Sequence, residues 1–131
     1  MNIEQLTKEV IDAMFEVHKE LGPGLLESSY EVCLCHELSL RGIKFERQVG
    51  QPITDKGLKL ETGYRIDILV DDTLVLELKA VDELQGIHKA QLITYLKLSG
   101  RTLGLLANFN TQLLKDGLKR VVYNHPNSPP L

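Results

Sequence analysis

The segment Tyr64-Arg-Ile-Asp-Ile-Leu-Val-Asp-Asp-Thr-Leu-Val-Leu-Glu-Leu-Lys-Ala80 constrains the fold more than any other part of the chain. Two β-branched and apolar runs of alternating character flank Asp71-Asp72-Thr73, which reads as the turn of a β-hairpin. Pairing centred on Asp72 sets Val70 opposite Leu74, Asp67 opposite Glu77 and Arg65 opposite Lys79. One face then carries Tyr64, Ile66, Ile68, Val70, Leu74, Leu76, Leu78 and Ala80. The other carries Arg65, Asp67, Leu69, Val75, Glu77 and Lys79. A slip of one residue would put apolar and charged sets on a common face, so the side-chain pattern selects this register.

The register places two carboxylates face to face. Side chains directly opposed across an antiparallel pair have Cβ atoms about 4.5–5.5 Å apart, and like charges there are destabilising. Two carboxylates at that separation suit a hard divalent cation. Lys79, two residues beyond Glu77 on the same face, reaches the same volume. Asp67, Glu77 and Lys79 around one point have the chemistry to hold Mg²⁺, position a water and steady the charge on an attacked phosphate. The alternative is a solvated charged face with ion pairs from Asp67 to Lys79 or Glu77 to Arg65. Leu69 and Val75 on that face argue for a covered cleft wall instead.

Around the hairpin, Leu6, Val10, Met14, Val17 and Leu21 recur at helical spacing and predict a helix over 3–21, ended by Gly22-Pro23-Gly24. A second helix is expected from about Leu25 to Leu40, stopped by Gly42. Residues 44–62 hold short strand-like pieces around Pro52 and Gly57. A helix is expected from about Leu84 to Leu98, an apolar strand over Thr102–Ala107, and a last strand over Leu118–Tyr123. This order predicts one mixed α/β domain over 1–123. The tail, 124–131, with three prolines, is expected to be disordered.

Composition narrows the function classes. Of the 131 residues, 43% are apolar, enough for a core, and the net charge is −3. That balance counts against a sequence-blind nucleic-acid coat protein but not against a nuclease, because a bound cation supplies positive charge where phosphate sits. No run of about 18 apolar residues and no signal-peptide stretch is visible, so no membrane span is expected and the cytoplasm is the predicted location. Cys33 and Cys35 lie two apart on a helix, unsuited to a mutual disulfide, and no second ligand pair points to zinc.

Two further groups are candidate partners of the hairpin. His88, Gln91 and Tyr95 fall on one helical stripe that can overlook the polar face of the hairpin, where Gln91 and Tyr95 can bind phosphate oxygens, and Gln91 the lysine or a water. A solvent-facing polar stripe is the plain alternative. In Gly24-Leu-Leu-Glu27-Ser-Ser-Tyr30, Glu27 lies in the first helical turn. It is either a stabiliser of the helix dipole or a third carboxylate at the metal.

Asp67 followed by Glu77-Leu78-Lys79 resembles the PD-(D/E)XK nuclease superfamily. Gln91-Leu-Ile-Thr-Tyr95 resembles the Q-x-x-x-Y helix motif of its RecB-like branch. The Gly24–Tyr30 segment resembles the signature of the GxxExxY family, and Arg65-Ile-Asp67, Ile87-His-Lys-Ala-Gln91 and Gly104-Leu-Leu-Ala-Asn108-Phe109 fit it as well. The likeness covers roughly residues 5–123. It implies a restriction-endonuclease-like core, a central mixed sheet flanked by helices. It implies metal ligation by Asp67, Glu77 and the backbone carbonyl of Leu78, with Glu27 added from the helix. Lys79 would orient or activate the water, and Gln91 and Tyr95 would support the site. Ile66 stands where members often have proline, a position that supplies no ligand. The implied function is Mg²⁺- or Mn²⁺-dependent phosphodiester hydrolysis, in DNA, with substrate choice resting on a homodimer, a partner protein or DNA structure. The competing function is a non-catalytic nucleic-acid- or protein-binding module that keeps the fold. No Gly-rich phosphate loop is present, so nucleotide hydrolysis by that route is not expected.

Overall fold

A computed structural model describes residues 1–61 and 63–126 of the chain. The elements follow in the order α1 (Ile3–Leu21), α2 (Glu27–Leu40), β1 (Phe45–Gly50), β2 (Ile53–Asp55), β3 (Leu58–Leu60), β4 (Arg65–Val70), β5 (Leu74–Lys79), α3 (Gly86–Ser99), β6 (Leu103–Asn108) and β7 (Leu118–Val122). The main sheet has strand order β1-β4-β5-β6-β7, and β2 and β3 form a separate hairpin. Only the β5–β6 pair in the main sheet is parallel. Its crossover is α3, as parallel neighbours require. The result is a mixed sheet between helices, the expected restriction-endonuclease-like architecture.

The hydrophobic pattern decides which face each helix covers. Val10, Met14, Tyr30, Leu34 and Leu38 of α1 and α2 close over Ile68, Val70, Leu74, Leu76 and Leu78. Leu92, Tyr95 and Leu96 of α3 close over Leu69, Val75, Leu106 and Val121. β4 and β5 are therefore covered on both sides, which is why their apolar runs are nearly continuous. Each fully buried aliphatic side chain contributes about 1.5–3 kcal/mol. The face that carries Glu77 is thus a packed interior face, as Leu69 and Val75 suggested.

The hairpin register is the expected one. Val70 pairs Leu74, Leu69 pairs Val75 and Ile68 pairs Leu76. One expectation fails: Ile66 and Tyr64 do not share a face with Ile68. Ile66 packs in the α3 layer, together with Val49, and Tyr64 lies against residues of α3. On β1 the pairs run Phe45–Val70, Glu46–Leu69 and Arg47–Ile68, then resume at Val49–Ile66. The missing rung is Gln48–Asp67. Gln48 there has φ +51°, in the left-handed region. A non-glycine residue in that conformation turns the strand about its axis, so side-chain alternation reverses across the rung. Strict period two could not show this, because the pairing register on either side is unchanged.

Element ends move slightly. α2 begins at Glu27 rather than Leu25, because Tyr30 Oη donates to Gly22 O at 2.6 Å and accepts from Leu25 N at 3.1 Å. Those bonds hold Gly22–Leu26 as a loop. In the expected tail, His125 is buried, bonded to Thr102 Oγ1 at 2.9 Å and to Glu4 at 3.2 Å. Residues 127–131 lie outside the described residues.

Glycine is needed at Gly104, where β6 meets α3. A Cβ there would lie 2.9 Å from Leu92 Cδ1, and Leu92 is fully buried. Gly104→Val is expected to cost about 1–3 kcal/mol by overpacking, read as a lower urea midpoint at unchanged slope. Gly100→Ala, at the exposed helix end with φ +72°, leaves the α3–sheet contact intact and serves as the comparison.

Candidate active site

The pairing of β4 with β5 ends at Ile68–Leu76, and beyond it two carboxylates take over the backbone bonding. Leu78 N donates to Asp67 Oδ2 at 2.8 Å, and Asp67 N donates to Glu77 Oε1 at 3.2 Å. Each carboxylate reaches across to the opposite strand. This brings Asp67 and Glu77 together at the hairpin centre, as the register required. Neither of the two cross-strand ion pairs forms: among the described residues Lys79 has no acid within ion-pair distance, and Arg65 Nη1 instead donates to Gln48 O at 3.3 Å.

Glu77 is only 4% exposed. Burial, and then the neighbouring Asp67, push its carboxyl up to about 8. Asp67 is raised too, first by burial, with Glu31 and Glu27 adding to it. The Leu78 N–H and Lys79 act in the opposite sense. Two acids drawn out of water and facing each other disfavour the doubly charged state. A cation would relieve the same penalty. The facing donors are two carboxylates, oxygen only, which fits a hard divalent ion. Among the described residues no three His, Cys, Asp or Glu side chains gather into one ligand cluster.

α3 overlooks this centre. Tyr95 is buried, and Gln91 Nε2 donates to its hydroxyl at 3.0 Å. Burial raises the Tyr95 phenol, and the nearby Glu77 raises it further. Of the stripe, Tyr95 is buried and within reach of the Glu77 charge, while His88 and Gln91 are half-buried and line a cavity. Neither Gln91 nor Tyr95 bonds Lys79 directly. His88 separates from the other two in role: its Nδ1 accepts from Gln85 N at 2.9 Å and ties the start of the helix.

Glu27 is the first residue of α2 and is exposed. Asp67 feels its charge, but no contact joins them. Its loop is firmly fixed. Tyr30 stacks on Phe109 with ring centroids 4.7 Å apart, and Gly24 N donates to Asn110 Oδ1 at 3.1 Å. The tyrosine and glycine of the Gly24–Tyr30 motif thus hold the backbone that presents its glutamate.

Two contributors are absent from the sequence reading. Glu31 is buried and takes Arg47 Nη2 at 2.7 Å, Arg47 Nε at 3.1 Å and Gln48 Nε2 at 2.7 Å. It clamps the kink opposite Asp67. Its signal was weak, an acid one turn after Glu27 on the buried side of α2. Asn108, also buried, accepts from Val81 N at 3.1 Å and donates to Val81 O at 2.9 Å. Phe109 N donates to Lys79 O at 2.9 Å. Together they fix the chain just beyond Lys79. Nothing local in sequence marks Asn108 as paired with Val81.

A mixed sheet flanked by helices, with an aspartate on one central strand and a glutamate and lysine on the next, defines a restriction-endonuclease-like fold. Residues 4–121 match the family model of the PD-(D/E)XK nuclease superfamily. The chain belongs to that superfamily, whose members generally use divalent metal ions. No curated protein and no solved structure matches it significantly.

The raised Glu77 carboxyl sets a pH dependence. A carboxyl whose folded value lies above its unfolded one binds more protons in the native state, so stability falls as pH rises between the two values. For the metal-free protein that window runs from about 4.5 to about 8. Melting temperature is expected to decline across it, and Glu77→Gln to flatten the decline. An equal slope in the variant rules out Glu77 as the source.

Proposed function

We propose that the protein is a nuclease that hydrolyses phosphodiester bonds, in DNA, with Mg²⁺ or Mn²⁺. The opposition of Asp67 and Glu77 carries this reading, since two facing carboxylates, one buried and one half-buried, repel each other until a cation lies between them. Asp67, Glu77 and the carbonyl of Leu78 would hold the ion, with Glu27 of α2 adding a third carboxylate. When bound, the metal supplies Lewis-acid stabilisation of the phosphate and lowers the pKa of water.

The chain's own groups do the rest. Lys79 presents an ammonium that has no ion-pair partner among the described residues, suited to orienting a water and steadying charge that develops on phosphate oxygens. Gln91 holds the Tyr95 hydroxyl, and the two offer hydrogen bonds to the same oxygens. The Gly24–Tyr30 loop, with its Glu27, supports placement in the GxxExxY family. A homodimer or a partner protein is proposed to add to substrate choice. The competing reading, a binding module that keeps the fold, has no use for the full set of acids with Lys79.

Purified protein on single-stranded, double-stranded and branched DNA, with Mg²⁺ or Mn²⁺, is the direct test. Lys79→Ala is expected to slow cleavage by about 10²-fold or more, the scale of losing one electrostatic stabiliser, without loss of metal affinity. Normal activity in that variant excludes the role given to Lys79. Cleavage by no divalent metal, in folded protein that binds metal, favours the binding module.

Asp67→Asn separates site from scaffold. The asparagine keeps an acceptor for Leu78 N and offers a donor to Glu77, while removing one of two opposed charges. The metal-free variant is expected to be at least as stable as the parent. Magnesium at a hundredfold excess over its dissociation constant stabilises the parent by about 2.7 kcal/mol, and the variant by much less. Melting curves with magnesium and with a chelator measure both effects. A clear loss of stability in the metal-free variant would overturn the opposed-carboxylate reading.

A further inference from the structure

A cavity of about 370 Å³ is lined among others by Tyr64, Ile87, His88, Gln91, Thr94 and Tyr95, and Tyr95 is the side chain through which it adjoins the carboxylate centre. The cavity lies between α3 and the residues that lead into β4. We propose that it receives an unpaired nucleobase of the strand being processed, so that the site acts on single-stranded or frayed nucleic acid. This rests on the reading of Asp67 and Glu77 as the centre that meets the phosphate.

Continuity is the first support. Gln91 and Tyr95 form a wall of the cavity and are hydrogen-bonded to each other, and the Tyr95 phenol feels the charge of Glu77. An occupant of the cavity therefore meets a side chain that the carboxylate centre also reaches. For a nucleic-acid strand, the group next to a phosphate is a nucleoside. Size is the second. The volume lies at the small end of ligand pockets, about 300–1,000 Å³, which suits one planar ring system and leaves no room for a duplex.

Chemistry is the third. Elsewhere α3 buries Leu92 and Leu96, yet here Tyr64 stays 47% and Ile87 70% exposed. A flat aromatic ring and an aliphatic side chain left uncovered at a cavity rim suit the faces of a base. The polar groups around them suit its edge. Gln91 offers an amide, Thr94 a hydroxyl, and His88, whose Nδ1 accepts from Gln85 N, a remaining ring nitrogen. Bases are read in this way only when unstacked, since in a duplex both faces and the pairing edge are occupied. The chain's net charge of −3 fits the same conclusion. With little general attraction for phosphates, stacking contributes what electrostatics does not.

The test compares a fluorescent strand of roughly 12 thymidines, a length within ordinary single-strand site sizes, with an abasic strand of the same length and charge. Binding is followed by anisotropy with a chelator, and cleavage with Mg²⁺ or Mn²⁺. The parent is expected to prefer the base-bearing strand by about tenfold or more, the scale of losing one base–aromatic stack. Tyr64→Ala, and Ala90→Trp which fills the cavity from its exposed rim, are expected to remove that preference and leave abasic binding unchanged. Tyr64→Phe is expected to keep it. Equal binding of both strands by the parent overturns the proposal, and so does a preference untouched by Ala90→Trp. Concentration-dependent dimerisation that Ala90→Trp abolishes, without any base preference, also overturns it and assigns the cavity to a second copy. Base-dependent binding without cleavage upholds the cavity and removes the nuclease reading. Cleavage indifferent to the bases does the reverse.

Discussion

The site depends on the hydrogen-bond ladder between β4 and β5 breaking off beyond Ile68–Leu76. At Asp67 and Glu77 the backbone of β4 and β5 stops pairing with itself, and the two carboxylates accept the released N–H groups of Leu78 and Asp67. A buried N–H left without an acceptor costs about 1–3 kcal/mol, so the acids are structural partners as well as charges. Their positions follow from that bonding and not from side-chain rotamers alone. One oxygen of each carboxylate is tied to the opposite strand, which fixes the direction in which the other oxygens present themselves. Preorganised oxygen ligands need little rearrangement when a cation arrives, and this is what a metal centre gains from sitting on central strands rather than on a loop.

The break has a cause on each side. Gln48, opposite Asp67 on β1, adopts a left-handed conformation that costs about 1–3 kcal/mol for a non-glycine residue. Glu31 holds the Gln48 side chain and Arg47 together, and Arg65 holds the Gln48 carbonyl. These bonds keep the turn of the strand in place. The consequence is the reversal of side-chain sense between Ile66 and Ile68, which moves Ile66 and Val49 into the α3 layer. Asp67 then lies where both helix layers meet, and it senses Glu27 and Glu31 from α2 while Tyr95 of α3 senses it in turn. On the other flank Asn108 and Phe109 tie the strand end beyond Lys79, and Phe109 stacks on Tyr30. The loop that presents Glu27 and the strand that presents Lys79 are thereby joined through one aromatic pair.

This explains what was legible in the sequence. Asp67, Glu77 and Lys79 could be placed together because hairpin register is a local property, set by a three-residue turn and a period of two. The α3 stripe could be read because Gln91 and Tyr95 obey helical spacing. Glu31 and Asn108 could not, because their partners lie on β1 and after β5, and pairing between distant elements leaves no periodic trace. Ile66 was assigned to the wrong face for a related reason: alternation was extended through Asp67, where a conformational change on the neighbouring strand interrupts it. Asn124–Pro126 read as tail from composition, but His125 is anchored by Thr102 and Glu4, both remote in sequence.

The metal-free fold must tolerate a centre that opposes it. Burial of Glu77 beside Asp67 holds a proton that the unfolded chain would release, so the pair withdraws stability over the pH range in which unfolded carboxylates ionise. What offsets it is the sandwiching of β4 and β5 between two apolar layers. Ile66, Ile68, Val70, Leu74, Val75, Leu76 and Leu78 are fully buried on these two strands. At about 1.5–3 kcal/mol each relative to exposure, a few of them outweigh the carboxylate penalty. The same layers exclude water from the carboxylates, which raises their pKa and strengthens their attraction for a cation. Hydrophobic burial in this chain therefore holds the hairpin together and also creates the electrostatic tension that a bound ion would release.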